Sequence, residues 1–204
     1  MLTGGGSVSF PSREGFLPAE RPLRADAQRN RDRLLEVAVQ AFSHDDPDVT
    51  LDAIAKEAGV GIGTLYRHFA TREALIDAAY RSELARLCDS AGDLLRDMPP
   101  DQALRAWMDS FTDYMSTKRG MGDALRAVIA SGGDPFSESR TRLIAAVTTL
   151  LQAGVAAGSL RPDVAPEDVL AGLSGTSLAT ASPERREQAG RLLDLLMDGL
   201  RPRA

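Results

Sequence analysis

The sequence predicts an all-α protein of about nine helices, and three observations carry that prediction. Apolar residues recur at three- and four-residue spacing through most of the 204-residue chain, the period of a helix with one buried face. Proline and glycine mostly punctuate those series, standing where helices begin and end. No segment shows the apolar/polar alternation of a half-buried strand.

Residues 1–21, rich in Gly, Ser and Pro and without periodicity, read as a flexible tail. Helical spacing sets in near Asp26, and Leu34, Ala38, Ala41 and Phe42 form one stripe. The acidic stretch His44–Asp48, with Pro47, then makes a turn. Thr50 stands where an N-cap hydroxyl belongs, ahead of Leu51, Ile54, Ala55 and Ala58. Gly59 follows directly, suited to a left-handed C-terminal cap. A short helix over Ile62–His68 sets Leu65 and Phe69 on one face. Thr71 caps a long fourth helix with Glu73 near its positive end, carrying Leu75, Ile76, Ala79, Leu84, Leu87 and Leu94.

Met98-Pro99-Pro100 breaks the pattern. Beyond it come the stripe Leu104, Trp107, Met108, Phe111 and Met115, then a shorter one of Leu125, Val128 and Ile129 that ends at Gly132-Gly133-Asp134-Pro135. Leu143, Ile144, Val147, Leu150 and Leu151 follow, closed by Gly158 and Pro162. Pro166 and Pro183 sit where a first helical turn accepts proline. The helices they open carry Val169, Leu170, Leu173 and Leu178, then Leu192, Leu193, Leu195, Leu196 and Leu200. The expected division is a tail over 1–21, a first helical unit over 22–70, a connecting helix over 71–97 and a second helical unit over 98–204.

Composition narrows the function. The longest apolar stretches fall short of the roughly 20 residues a spanning helix needs, and the N-terminus lacks the pattern of a signal peptide, so a cytoplasmic protein with no membrane partner is expected. A lone Cys88 excludes an internal disulfide framework. Neither His44 nor His68 has Cys or acidic partners at metal spacing, so no metal and no cofactor are expected. The net charge of −5 argues mildly against nucleic acid, but Arg21, Arg24, Arg29, Arg31 and Arg33 crowd one short stretch, and only Lys56 and Lys118 represent lysine.

The informative stretch is TLDAIAKEAGVGIGTLYRHFATRE, Thr50 to Glu73. A helix-turn-helix needs a small residue where its helices cross, a tight turn and apolar anchors in the second helix. Ala55, Gly59, and Val60 with Leu65 supply them. That packing turns Ile62, Gly63, Thr64 and Tyr66 outward, a face of small residues that lets backbone approach DNA, with a phenol able to bond phosphate. Gly59-Val60-Gly61-Ile62-Gly63 is also a glycine-rich run, but a phosphate loop must follow a strand, and this one follows a helix.

GVGIGTLYRHFATREAL, preceded by TLDAIAKEA, closely resembles the DNA-binding signature of the TetR family of bacterial regulators over about Arg24 to Ala79. The resemblance implies that Thr50, Tyr66, His68 and Arg72 bond phosphates. Gly61, Ile62, Gly63 and Thr64 would enter the major groove, with Thr64 the candidate for base contact. Arg67 is either a DNA contact or a solvated arginine, and Arg24 a minor-groove candidate. Gly61 departs from the Ser often found at its position in the family. The resemblance also implies a dimeric repressor on a palindromic operator, because two-fold half-sites demand two-fold readers. For the dimer interface the last two helices offer Leu170, Gly172, Leu173, Gly175, Leu192 and Leu196. It implies too a ligand cavity among the central helices, for which Trp107, Met108, Phe111, Met115, Leu125 and Ile129 are candidates. The same stripe reads equally as plain core. Its apolar character points to an apolar or aromatic effector. The alternatives are a ligand-independent, nucleoid-associated DNA binder and an all-helical enzyme. For the latter no convergent acid, base or nucleophile is found, since Asp109, Asp113 and Asp123 look like solvated faces.

Overall fold

In the computed structural model the described residues are 20–43 and 49–203, with side chains from residue 25 onward, Pro183 excepted. They form nine α-helices: α1 (Glu20–Ser43), α2 (Leu51–Glu57), α3 (Ile62–His68), α4 (Arg72–Asp97), α5 (Pro100–Gly120), α6 (Gly122–Ala130), α7 (Ser139–Ala156), α8 (Pro166–Ala179) and α9 (Arg186–Leu200). The expected tail lies outside the described residues except for its last two, and so does the turn His44–Asp48. Helix α1 begins at Glu20 rather than near Asp26. Its first turns are built from residues without an apolar stripe, so periodicity missed them, although Pro22 sits where a first turn tolerates it. Pro183 opens a single 3-10 turn (Pro183–Arg185) and α9 follows it.

The local signals act as the chain chemistry dictates. Thr50 and Thr71 cap α2 and α4, each side-chain oxygen accepting from the backbone N–H three residues on, at 3.2 and 3.1 Å. Gly59 holds φ +68° and Gly158 φ +71°, left-handed conformations that end α2 and α7 and favour glycine. Prolines open α5 and α8.

Helix α4 is the spine, packed on α1 at its start and on α5, α6 and α7 beyond. One continuous core runs from Leu34 in α1 to Leu200 in α9. Helices α4 and α5 are joined by the Trp107 indole N–H, which donates to the Leu87 carbonyl at 2.9 Å. Deeper along the same seam, the Tyr80 and Tyr114 hydroxyls meet at 2.6 Å, and Tyr80 also reaches Ser139 at 3.2 Å. Desolvation and this pairing push the Tyr114 phenol well above its ordinary range. The α6–α7 connection seals the end of the seam, with Phe136 edge-on to Tyr80 at 5.4 Å and the Lys118 ammonium 4.3 Å above Phe136.

At the last residue of α5 its backbone lies directly against that of α1. A Cβ at Gly120 would overlap the Ser43 carbonyl, which is backbone and has nowhere to go. Among the described residues, no helix is long and apolar enough to cross a membrane.

Candidate nucleic-acid interface

Helices α2 and α3 form a tight unit. The Gly59 N–H donates to the Lys56 carbonyl at 3.1 Å and the Val60 N–H to the Ala55 carbonyl at 2.9 Å, which closes the turn. Ala55 and Leu65 are buried and Val60 packs against the same core. Phe69 is buried under α1, where the Arg31 guanidinium lies 5.6 Å from its ring centre.

The rest of α3 faces outward. Ile62 is 37% and Tyr66 52% exposed, so part of the stabilisation that burial of such apolar surface gives is forgone here. Gly61 and Gly63 are informative in a different way. Neither holds a left-handed backbone, and a Cβ at either would meet nothing within 4 Å. The fold therefore does not require glycine at these two positions, and the space beside them is open.

Sequence reasoning grouped ten residues here, and the structure brings eight of them to one surface or its edge. Gly61, Ile62, Gly63, Thr64, Tyr66 and Arg67 line α3, His68 closes it half-buried, and Thr50 lies exposed at the start of α2. The Thr50 oxygen already accepts one bond, and its hydroxyl proton is left for an acceptor such as phosphate. Arg67 folds back along α3, donating to the Gly63 carbonyl at 3.1 Å and the Thr64 hydroxyl at 3.3 Å, so its guanidinium is already poised over the recognition face. Arg72 is turned inward: it donates to the Val49 carbonyl and stacks 4.7 Å above the Phe42 ring, fastening α4 to the segment before α2. The side chain of Arg24 lies outside the described residues. The flanking arginines of α1 are partly committed, Arg29 to Asp26 and Arg33 to Asn30.

The apolar candidates of the second half distribute differently. Trp107, Met108, Phe111 and Leu125 are at most 2% exposed, close-packed with Met121, and Met115 packs beside them. Ile129 was expected on the same lining, but α6 turns it outward and leaves it 48% exposed. A cavity of about 260 Å³ instead opens between α4 and α5, lined by Glu83, Arg86 and Leu87 from one and Asp113, Tyr114 and Thr117 from the other, with the Ser90 and Ser110 hydroxyls on its wall. None of these was singled out as a binding residue from sequence, because the pattern of each helix marks the charged ones as solvated.

The candidate dimer face needs a similar correction. Leu170 and Leu173 are buried within their own chain, and Gly172 is where the Leu196 side chain of α9 crosses α8, 3.1 Å from a Cβ built there. What α8 and α9 turn outward is Leu178, 75% exposed, and Leu195, 66% exposed; on α8 there is also open space above Gly175. Leu192 and Leu196 sit partly buried at the border. Among the described residues, no group of three His, Cys, Asp or Glu side chains is placed to hold a metal ion.

A capped helix, a tight glycine turn and a second helix with an exposed small-residue face, carried on a larger helical body, define a DNA-binding transcription factor of the helix-turn-helix kind. Comparison with known proteins gives the family. Residues 34–79 match the family of bacterial regulatory proteins known as tetR, and residues 99–202 match the C-terminal domain of SbtR-like transcriptional regulators. The TetR transcriptional regulator SCO0520 from Streptomyces coelicolor is 56% identical, with a TM-score of 0.81 over 85% of this chain and 99% of that one. A TetR regulatory protein from Mycobacterium vanbaalenii is 35% identical, with a TM-score of 0.73 over 89% of this chain and 100% of that one. An HTH-type transcriptional regulator of Staphylococcus aureus is 46% identical over 48 residues, which span 23% of this chain and 26% of that protein. The chain belongs to the TetR family, and it is a DNA-binding transcriptional regulator. Members of that family are transcription factors rather than enzymes.

Proposed function

We propose that this regulator is a homodimeric, cytoplasmic repressor that occupies a palindromic operator and leaves it when a small molecule binds residues 98–204 or the connecting helix over 71–97. The observation that carries the DNA half is the outward face of α3, where Gly61 and Gly63 keep open space beside exposed Ile62 and Tyr66. Such a face suits close contact with a major groove, with Thr64 reading a base edge and Thr50, Tyr66 and His68 fixing register through phosphates. Arg67 swings from Thr64 toward the duplex, whereas Arg72 acts by holding α4 against the reading head.

The dimer half is supported by Leu178 of α8 and Leu195 of α9, two large apolar side chains that stand exposed in the single chain. A second copy related by a two-fold axis would cover them with its own pair, an isologous contact. It would also set two α3 helices on successive major grooves, about 34 Å apart. Release follows from population shift. A ligand that prefers the form with its two reading heads wrongly spaced lowers DNA affinity only by its differential affinity for the two forms.

Selection of bound sequences from a random duplex pool tests the reading. The expected product is an inverted repeat bound by two chains. Enrichment of no sequence, or of a single unrepeated half-site, refutes it. Binding to a palindrome that no small molecule relieves would favour a ligand-independent architectural protein.

A further inference from the structure

We infer that the cleft between α4 and α5 is the effector site and that it takes a small organic cation, its charged head on the Glu83 carboxylate and its flat body against Tyr114 and Leu87. This rests on the ligand-responsive reading above and gives it a place and a chemistry, both different from the apolar effector that the stripes suggest.

The cleft is lined by more acceptors than donors. The Glu83 side chain is only 11% exposed and has one cationic partner, Arg86, whose own side chain is 68% exposed. A carboxylate taken out of water is costly unless well paired, and an exposed arginine is a weak, exchangeable partner. Burial accordingly lifts the Glu83 carboxyl above its ordinary value, and the Glu36 carboxylate of α1 pushes the same way against Arg86. Asp113 supplies a second carboxylate across the cleft, held by Arg186 of α9, which is 75% exposed.

The hydroxyls point to the same ligand. Ser90 donates to the Leu87 carbonyl at 2.8 Å and Ser110 to the Ala106 carbonyl at 3.3 Å. Each spends its single proton on its own helix and leaves lone pairs free. Tyr114 has its hydroxyl bonded to Tyr80 at 2.6 Å in the core, which leaves its ring as what it offers the cleft, and the face of a phenol ring attracts cations. The donors on the lining are the Arg86 guanidinium and the Thr117 hydroxyl, and only the first is charged. An anion would face two carboxylates and two serine hydroxyls whose protons are already spent; a cation meets complementary charge.

The size limits the guest. A cavity of about 260 Å³ is below the range of drug-sized pockets, so a single-ring amine or guanidine fits where a polycyclic dye does not. Its position supplies the output. Helix α4 starts at the reading head, and α5 ends at Gly120, where its backbone abuts Ser43 of α1. A guest that changes the spacing of α4 and α5 therefore shifts both attachments of the DNA-binding unit.

Three probes of one skeleton separate charge from shape: 2-phenylethylamine, 2-phenylethanol and 3-phenylpropionate, titrated into the full chain. Trp107 is the sole tryptophan and donates to the carbonyl of cleft residue Leu87, so its fluorescence reports occupancy, with calorimetry alongside. The amine is expected to bind at least tenfold tighter than the alcohol and the carboxylate weaker still. Glu83→Gln should cost the amine tenfold or more and leave the alcohol unchanged. Asp93→Asn, which removes an exposed ion pair on the same helix, should change neither. Binding of the carboxylate as tight as the amine, an amine affinity indifferent to Glu83→Gln, or no binding of the amine overturns the inference. Affinity for the selected DNA, measured in parallel without probes, separates the two readings. A chain that binds the palindrome but fails the amine pattern loses only the cation site, whereas one that binds no DNA loses the proposed function whatever the probes do.

Discussion

Replacing Tyr66 with Phe removes a single oxygen from the recognition helix and leaves the fold as it was. The side chain is 52% exposed, and its ring is not part of the core. Whatever the change does to DNA binding is therefore the worth of that oxygen at the interface. A hydrogen bond to a charged group contributes about 1.5–3 kcal/mol, and half-exposure argues for the lower end. A two-fold dimer loses the bond twice, about 3 kcal/mol in all, or on the order of 100-fold in Kd. Because the phenol is neutral, it releases no counterion, so the slope of log K against log salt stays that of the parent. Because phosphate carries no sequence information, the loss falls equally on the operator and on a scrambled duplex. Fluorescence anisotropy with both duplexes over a series of salt concentrations measures all three quantities, with thermal melting as the check on folding. An operator affinity within a few-fold of the parent, or a loss confined to the operator, removes Tyr66 from the phosphate contacts.

Three further outcomes are expected. Thr64→Ala should alter which bases are preferred at one position of each half-site, by about 1–3 kcal/mol of discrimination, while affinity for unrelated DNA holds; an unchanged preference profile from selected pools counts against its base contact. Leu178→Glu with Leu195→Glu should yield a folded monomer by sedimentation, since both side chains are exposed in the single chain; a dimer that survives both changes places the interface elsewhere. The Glu83 carboxyl titrates above its ordinary value of 4.5 because burial dominates. The native state therefore holds its proton more tightly than the unfolded chain, a contribution present below pH 4.5 that is lost as pH rises through the native pKa. Glu83→Gln should thus gain stability relative to the parent as pH climbs through that window, and denaturant titrations showing a constant difference refute it.

What was legible in the sequence was what is local. Thr50, Gly59, Leu65 and Thr71 act within four or five residues of themselves, so cap, turn and anchor could be read in order, and the outward face of α3 followed from its inward one. Orientation was harder wherever a helix is apolar on more than one side. In α8, Leu170 and Leu173 face the chain's own core while Leu178 faces out, and composition does not rank them. Ile129 shares the period of Leu125 and Val128 yet stands at the edge of their face. The cleft was hidden for a further reason. Glu83 and Asp113 belong to different helices, and Arg186 comes from 73 residues beyond Asp113, so each looks solvated in its own helix. The intramolecular partners of Arg72 were hidden in the same way: the family resemblance puts it at a phosphate, and only the folded chain shows the Val49 carbonyl and the Phe42 ring against it.

The contact of Gly120 with the Ser43 carbonyl bears on modularity. Reading heads of this kind invite transplantation onto other ligand-binding bodies, to make regulators that answer one signal at another operator. Here the tight point of the joint is backbone against backbone, which repacking of side chains around it cannot relieve. A graft that places alanine at position 120 would push α1 outward and tilt both reading heads of a dimer, even with every DNA contact residue retained. The unit that can be moved is therefore not residues 22–70 alone. It is that segment together with the glycine that lets α5 reach it.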